Sequence, residues 1–459
     1  MQCTTWKFYA GTNTIGGNII SMEYGSHRLI FDMGRAFRGD VPSFDERLQP
    51  RSAMDLMAVG LAPDIAGIFQ GDDRVSSMHT AIAISHCHLD HTGLLPYVRT
   101  DLPVFTSTGT HRILQVLDAV ADGPRSPLSY RPVEPETWVH FGPFHLQFVP
   151  VDHGTPGASA IFIKTPDARL VYTGDLRLHG LHRDETERFI TFAREFHPDV
   201  LFIEGTRSGD LGDPSENVSE HDVTRGVLEQ TVRANAGVYF NVYERHPERL
   251  HAFRCAAKAA NRELVLDAVT AYMYHHFEGV SDFAVWAEED ARLPEALSRW
   301  LRDTGVKQIR PSDVCGLEHV YAAQLPYSRL HYLIDIQPAD GGRYLHSDGT
   351  PLGPYDPAWA NMLRWLDHFG LEFVAMGSSG HATRRDLVNI LEAIEPKVCM
   401  PIHSLQPWRI GSPRIPRLMP RISHVYSLTD LSGATPPTVS SFESQAPPDE
   451  PERTTGSLS

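Results

Sequence analysis

Short apolar runs bounded by Gly, Pro and Asp punctuate the first half of the chain. Gly25–Met33, Ala81–Ser85, Phe144–Val151, Leu170–Thr173 and Val200–Ile203 read as strands from their length and their Val, Ile, Leu and Phe content. Stretches of helical length lie between them, so residues 1 to about 207 predict a layered α/β unit. Residues 35 to 78 form a long connection carrying Pro42, Pro50 and Pro63, with a short helix around Ala53–Val59. A second α/β pattern occupies about 208 to 373, with strands at Gly237–Val242, Glu263–Asp267 and His331–Ile336 and a helix over Pro247–Asn261. Thr383–Ile394 has helical spacing, and residues 433 to 459, rich in Pro, Ser, Thr and Glu with one aromatic, predict a disordered tail.

The candidate chemistry concentrates in one hexapeptide, His86-Cys87-His88-Leu89-Asp90-His91, directly after the apolar run Ala81–Ile84. Side chains two apart on a strand point the same way, so His86 and His88 can reach one metal ion as the strand ends. The following turn swings Asp90 and His91 toward a second. A closed structural zinc site takes four Cys or His ligands, whereas three His and one Asp packed this tightly leave positions for water and substrate. Cys87 alternates to the opposite face and reads as a small buried hydrophobe. The alternative is chance clustering in a chain with 24 His, but four ligand-type side chains in six positions after a strand are hard to obtain from composition. His153, in Val151-Asp152-His153-Gly154, and Asp175, in Val171-Tyr172-Thr173-Gly174-Asp175, each end a strand-like run; alone, either is an ordinary strand-end residue.

Composition narrows the class of molecule. At 459 residues, two domains are expected. There is no apolar run of about 18 residues, and Met1–Lys7 lacks the form of a signal peptide, which predicts a cytoplasmic protein without a membrane partner. Five Cys without a CxxC pair fit reduced thiols. The formal charge of −16 argues against a nucleic-acid partner unless local cations compensate. Residues 408 to 424 offer such a patch, with Arg409, Arg414, Arg417 and Arg421 and no acid; the alternative is that these Arg anchor the last ordered stretch. A second group, Arg245, Arg249, Arg254 and Arg262, on or flanking the helix that begins near Glu244 and Glu248, fits either RNA binding or a solvated face of ion pairs.

The hexapeptide, followed in order by His153 and Asp175, resembles the HxHxDH pattern of the metallo-β-lactamase superfamily. Three later segments resemble motifs A, B and C of its β-CASP nucleases: Asp199–Thr206 with Glu204, Gly377-Ser378-Ser379-Gly380-His381-Ala382, and Pro401-Ile402-His403-Ser404. Within that family the pattern is similar to the ribonuclease J group, whose glycine-containing start is echoed by Gly11–Asn18. The further C-terminal domain usual in that group has no counterpart here beyond a short tail, and its Gly-Ser-Gln-Gly stretch is not matched by Tyr344-Leu345-His346-Ser347-Asp348-Gly349.

The resemblance implies an α/β fold, a metallo-β-lactamase αββα sandwich built from residues 1–207 and 374–432 with a β-CASP α/β domain inserted at 208–373. It implies two zinc ions, or manganese in their place: His86, His88 and His153 for one, Asp90, His91 and His403 for the other, with Asp175 bridging. In the implied reaction a metal-activated water attacks a phosphodiester, oriented by Asp90. His381 stabilises the phosphate oxygens or protonates the leaving oxygen, Glu204 positions His381, and the segment Ser378, Ser379, Gly380, His381 and Ala382 receives the phosphate. A His at motif C, here His403, accompanies RNA-directed members, so RNA is the expected substrate, cleaved as an exonuclease, an endonuclease or both. Homodimers and homotetramers occur among similar proteins. Two other readings stay open: a small-molecule hydrolase sharing the metal core, and a nuclease-like scaffold without catalysis.

Overall fold

The computed structural model describes residues 2–438 apart from 36–40, 42–43, 45–47, 121–126, 211–216, 288–292 and 355. Pro42 and most of the expected tail, 439–459, lie outside the described residues.

Two sheets face each other. The first has seven strands in the order Val425–Ser427, Thr5–Ala10, Ile19–Tyr24, His27–Phe31, His79–Ile84, Pro103–Ser107 and Ser129–Val133. The second has six: Val398–Pro401, Val200–Ile203, Arg169–Tyr172, Ser159–Lys164, Phe144–Pro150 and Trp138–Phe141. Alternation along the strands sends one set of side chains inward, where Trp6, Phe8 and Phe31 meet Phe148, Ile161 and Phe202. The other set packs outward under helices. Ile30, Ile82, Ile84 and Val104 lie beneath Leu56 of Ala53–Ala58 and Ile113, Leu114 and Leu117 of Thr108–Ala119. Val171 and Leu201 lie beneath Phe189 of Arg183–Phe196 and beneath Leu387, Ile390 and Leu391 of Arg384–Ile394. This is the αββα sandwich, and its strands come from both ends of the chain.

The third sheet draws all seven strands from between Val238 and Ala375, and every neighbouring pair is parallel. Parallel sheets need cover on both faces. One face holds Phe240, Leu264, Leu266 and Leu345 under Val227, Leu250 and Phe253, and the other holds Tyr239, Val265, Trp286 and Tyr344 under Leu330, Leu333 and Leu366. This inserted α/β layer touches the sandwich through Ala268–Glu278, where Arg112 Nη2 donates to His276 O at 2.6 Å and to Phe277 O at 3.1 Å.

Several expected elements change. The segment His331–Ile336 is not a strand: Tyr327–Tyr332 is a 3₁₀ turn and Leu333–Ile336 a helical turn, because Leu330, Leu333 and Ile336 recur every three residues and bury one helical face while Ile334 stays exposed. The expected strand Gly25–Met33 shortens to His27–Phe31, since Gly25 and Ser26 form a hairpin between Tyr24 and His27, and Asp32 turns into the left-handed region at φ 55°. The expected strand end Asp267 instead caps Ala268–Glu278 through Val269 N. Within 433–438, Thr435 O accepts Arg417 N at 3.0 Å, so the described start of the expected tail is tied to the sandwich.

Candidate metal centre

Chain direction assembles the site. His86 follows the strand His79–Ile84, His153 follows Phe144–Pro150, Asp175 follows Arg169–Tyr172, Glu204 follows Val200–Ile203 and His403 follows Val398–Pro401. Five strands from both sheets thus end at one edge of the sandwich. The turn Leu89–Thr92 adds Asp90 and His91, and the loop before Arg384–Ile394 adds His381.

Asp175 Oδ2 sits at the middle. It lies 3.0 Å from His91 Nε2, 3.6 Å from His153 Nε2, 3.7 Å from His86 Nε2, 3.7 Å from His403 Nε2 and 3.9 Å from His381 Nδ1. His88 Nδ1 is 3.0 Å from His153 Nε2, and Asp90 Oδ2 is 3.0 Å from His403 Nε2. The donor atoms cluster within 4.8 Å as His86, His88 and His153 on one side and Asp90, His91, Asp175 and His403 on the other, and His381 falls within the same distance of His153 and Asp175 and of Glu204 and His403. Ligands of one ion with bonds of about 2.0–2.2 Å stand roughly 3–3.5 Å apart, close to the 3.0–3.7 Å separations within the second group.

The donor set fits metal ions on a second count. Among the described residues, His86 Nε2 and Asp175 Oδ1 are buried polar atoms with no hydrogen-bond partner, a costly condition that an ion relieves. Meanwhile the opposite nitrogen of four rings is held: Ser85 Oγ stands 3.1 Å from His86 Nδ1, Asp32 Oδ2 2.7 Å from His91 Nδ1, Gly380 O 2.5 Å from His153 Nδ1 and Thr206 Oγ1 2.7 Å from His403 Nδ1. Such partners fix ring orientation and aim the remaining nitrogen at a metal. Asp32 is itself braced by Ser85 N at 2.8 Å and by Tyr172 OH at 2.5 Å.

Protonation follows burial and charge. Burial pushes His88 down to about 3, against the pull of Asp90 and Asp175, and burial likewise holds His86 and His153 well below the usual imidazole range. These three are held in the neutral form that can bind a metal. Burial opposes a charge on His91 as well, but Asp175, Asp90 and Asp32 outweigh it and raise His91 well above its ordinary value. That proton is the one a bound cation displaces. His381 is raised to about 9, because Glu204 and Asp175 overcome its burial. Glu204 Oε1 lies 3.4 Å from His381 Nδ1, while Glu204 Oε2 accepts Thr206 N at 2.9 Å.

Residues 70–238 match the family model described as a beta-lactamase superfamily domain. The chain is 24% identical over 419 residues to Ribonuclease J of Corynebacterium glutamicum, covering 88% of this chain and 54% of that protein. It is 24% identical over 411 residues to Ribonuclease J of Pyrococcus abyssi, covering 86% of this chain and 88% of that protein. The chain thus carries a beta-lactamase superfamily domain and is ribonuclease J-like over most of its length. It spans about half the length of the first relative and most of the second. Among solved structures it is similar to a protein of unknown function from Enterococcus faecalis, at 28% identity and a TM-score of 0.78, covering 93% of this chain and all of that one. The donor set is of the kind that binds divalent metal. Among the described residues no helix is long and apolar enough to cross a membrane.

The geometry brings together every candidate ligand, His86, His88, Asp90, His91, His153, Asp175 and His403, with His381 and Glu204 beside them. It narrows the expected phosphate cradle to the amides of Ser379 and Gly380. The amides of Ser378, His381 and Ala382 are engaged inside the protein, by Asp348 Oδ2 at 2.9 Å, Ser379 Oγ at 3.2 Å and Leu176 O at 2.6 Å, so they are not spare donors. Gly380 is required by close packing, since a Cβ there would lie 2.8 Å from His153 Cε1. The second Arg group is not an RNA surface either: Arg245, Arg249 and Arg262 are buried, and Arg254 pairs with Asp282 at 2.6 Å. After motif C, Arg417 braces its own loop by donating to Trp408 O at 2.6 Å and Ile410 O at 2.8 Å, whereas Arg414 and Arg421 are exposed.

Asp32, Ser85, Thr206 and Tyr243 lie outside the expected site residues. Asp32 has a signal in the chain, an acid ending the run Leu29-Ile30-Phe31. Tyr243 reaches the site from the inserted layer, its ring 5.2 Å from that of His88.

Proposed function

We propose that this chain is a metal-dependent phosphodiesterase that hydrolyses RNA, cytoplasmic, with two zinc ions or manganese in their place. The observation that carries the reading is the placement of His381, its Nδ1 3.4 Å from Glu204 Oε1 and 3.9 Å from the central carboxylate Asp175. A small-ester or thioester hydrolase on the same metal core has no need of that pair or of a large inserted layer. When bound, two divalent ions supply charge neutralisation for a phosphodiester and acidify water. His86, His88 and His153 would hold one, Asp90, His91 and His403 the other, and Asp175 both.

The chain's own residues then divide the work. His381, beside Glu204, is placed to donate to a non-bridging oxygen or to the leaving oxygen, where negative charge grows. Glu204 keeps it oriented. Asp90 is the ligand carboxylate that reaches solvent, its side chain 17% exposed against 1% for Asp175, and it accepts the proton of the attacking water. The inserted layer, assigned to 208–373, covers the site and brings Tyr243 against His88. Exposed Arg414 and Arg421 supply cations for the RNA backbone.

The test is incubation of purified protein, with zinc or manganese, with RNAs labelled at either end and carrying a 5′-monophosphate or 5′-triphosphate. Metal-dependent cleavage is expected, and the position of the label in the products separates exonucleolytic from endonucleolytic action. Intact RNA alongside rapid hydrolysis of a thioester or lactone would return the small-molecule reading, and inertness to both would return the scaffold.

A further inference from the structure

A buried chain of alternating charges runs from the metal centre to the third sheet. Asp152, one residue before His153, accepts Arg177 Nε at 2.8 Å, and Arg177 Nη1 donates to Glu220 Oε1 at 2.8 Å. Glu220 accepts Arg249 Nη2 at 2.6 Å and Nε at 3.0 Å. Arg249 Nη1 continues to Ser347 Oγ at 2.7 Å and Asp348 Oδ2 at 3.0 Å. Both ends of this charged chain grip one short loop. Asp348 Oδ2 accepts Ser378 N at 2.9 Å, and Arg177 Nη1 with His179 Nε2 donates to Ser379 O at 3.3 and 2.9 Å. Ser347 Oγ and Arg249 Nη1 both donate to Met376 O, at 2.7 and 3.3 Å. A Cβ on Gly377 would lie 2.0 Å from Asp348 Oδ1, so a side chain there would displace the Asp348 carboxylate from the loop.

Stability alone does not account for this arrangement. Arg177, Glu220 and Arg249 are almost wholly buried, and taking such charges from water costs several kcal/mol per ion, a cost that well-packed apolar residues avoid. What planar guanidinium forks add is direction, because two-pronged bonds fix angle as well as distance. The loop they fix ends in His381, and a shift of about 1 Å in a reacting group can cost about 10²-fold in rate.

We infer that Arg249, acting through Glu220 on one side and Asp348 on the other, is a positioning residue that locks the Gly377–His381 loop against His153 and so places His381 on the metal centre. Its consequence for catalysis rests on the RNA-hydrolase reading, but the loop restraint does not. The test uses the full chain loaded with metal and the variants Asp348→Ala and Arg249→Lys. Asp348 is 43% exposed and stands at the surface end of the charged chain, while Arg249→Lys keeps the charge but gives up the fork that spans both carboxylates.

Amide exchange in the 377–382 segment should accelerate by about tenfold or more in both variants, with metal content unchanged. RNA cleavage should lose about 10–10²-fold in kcat with KM within about twofold. In a His381→Ala background, Asp348→Ala should cost nothing further beyond about twofold, since it acts through that ring. Unchanged exchange in a folded Asp348→Ala protein overturns the inference, and so does a loss of activity fully additive with His381→Ala. A wild-type chain that leaves RNA intact overturns the RNA reading alone, and the exchange measurement still decides the restraint. If Arg249→Lys does not fold, Asp348→Ala carries the test.

Discussion

Around Asp175, buried nitrogen and oxygen atoms converge with His86 Nε2 and Asp175 Oδ1 unpartnered among the described residues, whereas Arg177, Glu220 and Arg249, equally buried, are ion-paired with opposite charge even though Arg177 Nη2 makes no hydrogen bond. Both sets sit beside the same loop and both put charge where the chain is dry. The first is a set of lone pairs without enough protons to meet them, and it asks for cations from outside. The second supplies its own counter-charges and asks for none. Burial of polar residues therefore does not by itself mark a binding site; the balance of donors and acceptors does.

The largest effect is expected at His88. His88→Ala should abolish RNA hydrolysis and lower bound metal, because the His86, His88 and His153 group loses a third of its ligands. Chelation of the wild-type protein should have the same effect on activity and be reversed by adding zinc or manganese, with elemental analysis and cleavage assays run in parallel.

Next in size is His381→Ala, which should keep both ions yet lose about 10²–10⁴-fold in cleavage, as expected for a proton donor outside the ligand set. Cleavage near the wild-type rate would detach the loop from the chemistry.

On the charged chain, Glu220→Gln removes the shared partner of two buried guanidinium groups and is expected to cost about 3–5 kcal/mol of stability in urea unfolding, with metal per folded chain unchanged. The two regions should also separate by pH. Burial would raise the Glu220 carboxyl, but Arg249 outweighs it and pulls the group to about 2 from 4.5. A depressed carboxylate stabilises fully above its unfolded pKa and loses that contribution as pH falls through its folded value. The stability gap between wild type and Glu220→Gln should therefore be constant above about pH 5 and narrow between about 4.5 and 2. Metal loss should be uneven as pH falls, because burial holds His86, His88 and His153 well below the usual imidazole range while Asp175, Asp90 and Asp32 hold His91 well above it, so protons compete first for the group that contains His91.

How much of this is legible in the sequence depends on whether the signal is local. His86 to His91 can be read because six consecutive residues carry four ligands after a strand, and His153, Asp175, Glu204 and His403 because each ends an apolar run that forms a strand. Asp32, Ser85 and Thr206 act on rings that only folding brings near, as the packed sheets bring Asp32 to His91 at 2.7 Å. The arginines mislead for a related reason. An Arg beside Glu suggests a wet helix face, yet Arg249 shares a stripe with Leu250, Phe253, Ala256 and Ala257 on the buried side of Pro247–Ala259, a spacing already present in the sequence. Segment 331–336 departs from expectation because six apolar-rich residues are too few to separate a strand from a helical turn.

The smallest effect is expected at the surface. Replacing Arg414 and Arg421 with neutral residues should reduce the slope of log affinity for single-stranded RNA against log salt by about 0.7 for each phosphate no longer held. Arg417→Ala should instead lower stability, since its guanidinium holds the Trp408 and Ile410 carbonyls. An unchanged slope in a folded double variant would move the RNA path to another face.

Whether the unpartnered cluster holds two ions, and the paired chain beside it none, is decided by counting metal. Protein dialysed against excess zinc or manganese and then freed of loose ions should hold two ions per chain, should hold fewer in His88→Ala, and should still hold two in Asp348→Ala. A wild-type protein that retains only trace metal under these conditions would contradict the division between the two regions.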